Sequence, residues 1–168
     1  MGKKTNESIA PSVESDNNFS LDIGDSIEKK LVNVEEIIKI DKNFSEDKFL
    51  LGAKDAFKMI VNAFQERNIE KVKFLLTSDV YENFANEAAF LSSNNGDRNI
   101  ISSVKAKILE INILKTNVFI KVEFLSNQKN NKKDKENSKD KEIKDIWIFS
   151  KDLKDSNPNW KLKEVSSS

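Results

Sequence analysis

The carboxyl group of Asp145 is the side chain in this sequence best placed to do chemistry. In the run Asp145-Ile-Trp-Ile-Phe149 it shares strand parity with Trp147 and Phe149. A carboxylate beside apolar rings has a raised pKa and can act as a general base. The opposing expectation is that Asp145 stands at the strand entry, beside a charged stretch, and is solvated. Tyr81, the single tyrosine, could donate a hydrogen bond into a pocket, or pack in the core with its hydroxyl at the edge. Little else is available. The 168 residues contain neither His nor Cys. That removes the commonest general base, thiolate chemistry, disulfides and the usual zinc ligands. The four glycines are isolated, and no phosphate-cradling loop, Gly-x-Ser-x-Gly elbow, His-Glu-x-x-His motif or EF-hand spacing occurs. No catalytic residue, metal or cofactor is expected.

The bulk charge points to no partner. Twenty-eight basic residues balance 28 acidic ones, so long-range attraction favours neither nucleic acid nor an acidic ligand. No uninterrupted apolar run approaches the roughly 20 residues that a bilayer span requires.

The elements that must position Asp145 and Tyr81 follow from periodicity. Residues 1–25 are polar and poor in aromatics, which predicts a disordered linker. From Ser26 the character changes: Ile27, Leu31, Val34 and Ile38 recur at helical spacing, with Ile37 and Ile40 widening the stripe. Residues 26–43 thus form an amphipathic helix ahead of the domain. Its stripe either packs on that domain or docks on a partner or membrane. The mixed signs of Glu28, Lys29, Lys30, Glu35 and Glu36 on the polar face are not those of a typical interfacial helix.

Residues 44–165 read as one α+β domain. Ser45 caps a long helix to Arg67, with Glu46 and Asp47 in its first turn. Phe49, Ala53, Ala56, Phe57, Ile60, Ala63 and Phe64 form its apolar face. Gly52 lies in that helix, at a cost of about 1 kcal/mol relative to Ala. The expected return is close approach of another backbone element. A short helix over Ile69–Leu76 and a third helix from Thr77 or Ser78 to about Asn94 follow. Val80, Tyr81, Phe84, Ala88 and Leu91 mark the inner face of the third helix, and Gly96 is suited to a left-handed position at its end.

The period then switches to two. Ile100 to Leu114 reads as a long strand bulged near Leu109–Glu110, and Val118 to Phe124 as its hairpin partner. Ser126 to Lys144 is dense in Asn, Lys, Asp and Glu and reads as a flexible solvated loop. Its acids interleave with its lysines and no aromatic is present to stack on a base, so nucleic acid is not expected. Ile146–Phe149 and Trp160–Val165 form a closing aromatic hairpin around the turn Asp155-Ser-Asn-Pro158. The plan is helices packed on a curved four-stranded antiparallel sheet. Nuclear-transport-factor-two-like cones share it. A pocket in such a cone would be lined by Phe57, Phe64, Tyr81, Phe84, Phe124, Trp147 and Trp160.

Two segments together resemble a known family: Asp41-Lys-Asn-Phe-Ser-Glu-Asp-Lys-Phe-Leu-Leu-Gly-Ala-Lys-Asp-Ala-Phe57, and Asp145-Ile-Trp-Ile-Phe149 with Asn157-Pro-Asn-Trp-Lys-Leu162. Leu75-Leu76 and Val80-Tyr-Glu-Asn-Phe84 fall between them. The pattern is similar to the C-terminal domain of the mitochondrial import-motor tether, the forty-four-kilodalton subunit of the inner-membrane translocase, and most of all to its alphaproteobacterial relatives. The resemblance covers about residues 30–165. It implies a non-catalytic adaptor related to protein translocation, associated peripherally with the cytoplasmic face of a bacterial inner membrane. The implied partners are anionic lipid such as cardiolipin, translocase components, or unfolded polypeptide. In the family the helices that open the domain make the membrane contact. The matching residues here are Ile27, Leu31, Val34, Ile37 and Ile38. Gly2-Lys-Lys-Thr-Asn-Glu7 resembles the polar stretch that follows a transmembrane anchor in bacterial relatives, which implies an anchor upstream of residue 1. The alternative function is a pocket-bearing enzyme or carrier of the same cone, which would need Asp145 inside a deep cavity.

Overall fold

A single antiparallel meander organises the chain. The computed structural model describes residues 19–90, 98–130 and 140–167, with residues 19–28 and 167 described by backbone alone. Strands β1 (Asn99–Leu114), β2 (Asn117–Asn130), β3 (Asp140–Asp152) and β4 (Lys161–Ser167) lie side by side in that order. Helices α1 (Phe19–Ile40), α2 (Glu46–Gln65) and α3 (Ser78–Phe90) precede them, with a 3₁₀ segment over Ile69–Leu75 between α2 and α3. The expected α+β architecture is present.

Local chemistry sets the boundaries. Ser45 Oγ accepts the Lys48 N–H at 3.1 Å and caps α2. Thr77 Oγ1 accepts the Val80 N–H at the start of α3. Lys115 and Thr116 turn β1 into β2, and Lys115 adopts left-handed backbone (φ 61°). The register of β1 against β2 slips between Ile108 and Glu110, which places the expected bulge at Leu109. A second slip falls between Ile101 and Ser103. The β3–β4 turn is a chain of side-chain caps: Asp155 Oδ1 accepts the Asn157 N–H, and Asn157 Oδ1 accepts the Asn159 N–H.

The core lies between α2 and one face of the sheet. Phe57, fully buried, stacks on Phe124 at 4.6 Å and meets Trp147 at 4.8 Å. Ile60, Val118, Ile120, Val122, Phe149 and Leu162 complete this layer.

Three expectations are corrected. The helix expected from Ser26 begins at Phe19, because Phe19, Ile23 and Ile27 continue the same four-residue period upstream. The predicted linker overlaps this helix over residues 19–25, and its residues 1–18 lie outside the described residues. The loop expected over 126–144 is shorter. Pairing continues to Asn130 on β2 and starts at Asp140 on β3, since backbone hydrogen bonds, not side-chain polarity, hold a ladder. Ser126 and Gln128 are buried there and satisfied together, with Gln128 Nε2 donating to Ser126 Oγ at 2.8 Å. Finally, Gly52 meets no close backbone: a Cβ built there finds nothing within 4 Å. Leu91 and Gly96 fall outside the described residues.

Candidate functional site

Helix α1 carries two faces that differ in direction. At 100° per residue, Ile27, Leu31, Val34 and Ile38 centre on one line, while Lys30, Asn33 and Ile37 centre about a quarter-turn away. The domain takes the second line. Ile37 is fully buried in the core, Asn33 Nδ2 donates to Ile111 O at 2.6 Å, and Lys30 Nζ lies 3.4 Å from Glu46 Oε1. Val34 packs half-buried at the boundary. Leu31, 56% exposed, and Ile38, 38% exposed, are left facing outward, with Val32 and Ile40 also exposed. The five residues expected to form a binding stripe therefore divide. Ile37 belongs to the core and is corrected to a structural role. Leu31 and Ile38 are presented, Val34 lies between, and the side chain of Ile27 is outside the description. Periodicity signalled the stripe, but nothing in it signalled that the domain would seize its flank.

Where α1 turns into α2, a groove of about 300 Å³ opens. Phe44, Phe49, Ala53, Ala56, Leu75, Phe149 and Trp160 form its apolar lining, and Asp41, Asn43, Lys48 and Asn159 contribute polar groups. Phe44, Phe49 and Trp160 meet edge to face or tilted, at 5.0 to 6.4 Å. Gly52 also lines it. The glycine thus leaves open a groove wall that a side chain would narrow.

The seven aromatic residues expected to line one pocket are dispersed. Phe57, Phe124 and Trp147 stack on one another in the core. Phe64 and Phe84 form an edge-to-face pair between α2 and α3 at 5.7 Å. Tyr81 lies toward the surface. Its hydroxyl donates to Glu70 Oε1 at 3.0 Å, which with partial burial raises its pKa, and Lys73 sits 4.8 Å above its ring. Trp160 alone of the seven lines the aromatic groove. The concentric pocket gives way because the rings satisfy one another at van der Waals distance. Phe44 and Phe49, which the pocket reading omitted, line the groove instead.

Asp145 points with Trp147 and Phe149 toward the inner sheet face, opposite Phe124 on β2. Burial pushes its carboxyl up to about 6. It is half-buried and does not line the groove. Trp147 is only 4% exposed, and its indole N–H finds no hydrogen-bond partner among the described residues. Among the described residues no cluster of His, Cys, Asp or Glu could hold a metal ion, and no helix is long and apolar enough to cross a membrane.

The model of the Tim44-like domain matches residues 32–167. The chain belongs to the Tim44-like domain family. That family is protein-translocation-related and generally non-enzymatic. The Tim44-like domain described here is 27% identical over 132 residues to a protein of Rickettsia prowazekii (strain Madrid E) named only as uncharacterized. The match covers 79% of this chain and 57% of that protein, so the chain spans little more than half the length of this relative. The crystal structure of the intermembrane space region of chloroplast protein ARC6 aligns with a TM-score of 0.48 and 14% identity, over 71% of this chain and 97% of that one.

Proposed function

We propose that this Tim44-like domain is a non-catalytic adaptor that attaches to the surface of an inner membrane through α1 and there engages polypeptide in transit. The observation that carries the reading is the quarter-turn between the docked and the apolar faces of α1. A helix that served only the core would turn its stripe inward. This one holds to the domain by Ile37 and Asn33 and leaves Leu31 and Ile38 outward. Their remaining apolar surface would contribute about 1 kcal/mol each on insertion into a bilayer or a partner. Charges of both signs surround them, with Lys39 bonded to Glu36 at 3.0 Å. Apolar contact therefore dominates, and anionic lipid such as cardiolipin adds a smaller term.

The aromatic groove begins at Asp41 and Phe44, directly beyond the end of α1. That continuity supports a single working surface for lipid and for apolar segments of a client chain. The enzymatic alternative is disfavoured by the position of Asp145, apart from the groove and beside packed rings.

Co-sedimentation with vesicles tests this. The wild-type chain should sediment with cardiolipin-containing vesicles and less with neutral ones, and Leu31→Asp/Ile38→Asp should reduce both. Sedimentation that ignores the double substitution, or none with either vesicle, would overturn the role of α1.

A further inference from the structure

The two edges of the sheet are closed by different means. At β4 the main chain does it, with the Thr77 N–H donating to Leu162 O at 3.0 Å. At β1 two side-chain carboxamides stand in for a strand. Gln65 Nε2 donates to Asn99 O at 3.1 Å while its Oε1 accepts the Asn99 N–H. That two-way exchange is what a residue of an adjacent antiparallel strand would make. Asn33 Nδ2 does half as much at Ile111 O.

These bonds fix which way the backbone of β1 faces. Asn99 and Ile111 pair across from Asn130 and Ile120, and the pairs Ile101–Gln128, Val104–Ser126, Ala106–Phe124 and Ile108–Val122 share that parity, since each bulge absorbs one residue. The N–H and C=O groups of Ile101, Val104, Ala106 and Ile108 thus also point away from β2. Among the described residues no hydrogen bond reaches them. Val104 and Ala106 are only half-buried, although the β2 residues opposite them are sealed. On the outer face, Lys105 and Lys107 are exposed, and among the described residues Lys107 makes one long contact, to Glu123 at 3.8 Å.

We propose that the β1 edge between these two clips, residues 101–108, receives an extended polypeptide segment as a fifth strand, with apolar side chains over Val104 and Ala106 and acidic ones beside Lys105 and Lys107. Main-chain hydrogen bonds would supply the affinity and the lysines the preference. Such pairing tolerates many sequences, which suits a domain that meets unfolded chains. The inference rests on the polypeptide part of the function proposed above, but on a different surface from α1.

A fluorescent decapeptide alternating Val and Glu, titrated against the full chain by anisotropy, provides the test, with a Val/Lys peptide beside it. The wild type should favour Val/Glu, and Ala106→Pro should weaken that binding roughly tenfold or more, because proline deletes one outward N–H at an edge position that tolerates it. Lys105→Glu/Lys107→Glu should reverse the preference toward Val/Lys. Unchanged affinity in Ala106→Pro that retains its circular dichroism, or an unreversed preference in the charge variant, would overturn strand addition. If Leu31→Asp/Ile38→Asp abolishes peptide binding while Ala106→Pro does not, the edge is refuted and the α1 surface stands. Failure of the wild type to bind either peptide also refutes the edge, and leaves the vesicle result to decide on α1.

Discussion

Replacing Asp145 by Asn should stabilise the domain at alkaline pH and leave it unchanged in acid. The carboxyl titrates near 6 in the folded chain, against 3.8 in its ordinary state, because partial burial disfavours the charged form. The folded-state value is raised, so the group holds its proton more tightly folded than unfolded. Stability is therefore undiminished below about pH 4, falls as the pH rises from there to 6, and stays at the lower level above. A shift of this size corresponds to at most about 3 kcal/mol, and the remaining solvent contact of Asp145 reduces the expectation to ~1–2 kcal/mol. The amide matches the protonated carboxyl in size and removes the titration. Urea denaturation followed by tryptophan emission suits the measurement, since Trp147 lies on the same strand face. The gap between Asp145→Asn and wild type should be near zero at pH 4 and ~1–2 kcal/mol at pH 8, or a few degrees in Tm. A gap of constant size across this range, or a variant less stable at pH 8, would show that the carboxylate is solvated or paired and that the burial argument is wrong.

Further outcomes follow from packing. Gly52→Ala should raise stability by up to about 1 kcal/mol by thermal denaturation, since the added methyl gains helix propensity and meets no neighbour. Ile37→Ala should cost about 2–5 kcal/mol or, if α1 releases first, expose that helix to limited proteolysis, because Ile37 is wholly buried. Leu31→Ala should change neither readout by more than about 0.5 kcal/mol. Trp147→Phe should cost less than a ring deletion, about 1–2 kcal/mol, because the lost area is offset by removal of a buried N–H that has no partner among the described residues.

Much of the architecture was legible because it rests on local signals. Helix order, the meander, the Leu109 bulge and the capped turn before Trp160 all follow from period and from turn residues. What was not legible depends on which of two surfaces wins. The stripe of α1 predicts an apolar face, yet the domain binds its flank through Ile37 and a carboxamide, and no periodicity encodes that rotation. The polar run after Phe124 looked like a loop because its composition is that of solvent, although the ladder continues to Asn130. Of the seven aromatic residues expected around one space, Phe57, Phe124 and Trp147 are buried, while Phe64, Tyr81, Phe84 and Trp160 are only partly so. Ring-to-ring packing closes the centre at Phe57, Phe124 and Trp147, and the open volume moves to Phe44, Phe49 and Trp160.

The outward face of α1 can be tested on its own. The chain has no cysteine, so Ile38→Cys and, as a control on the sheet, Lys105→Cys can each carry one environment-sensitive fluorophore. On cardiolipin-containing vesicles the label at position 38 should shift to the blue while the label at position 105 stays unchanged. No shift at position 38, or equal shifts at both, would contradict attachment through α1.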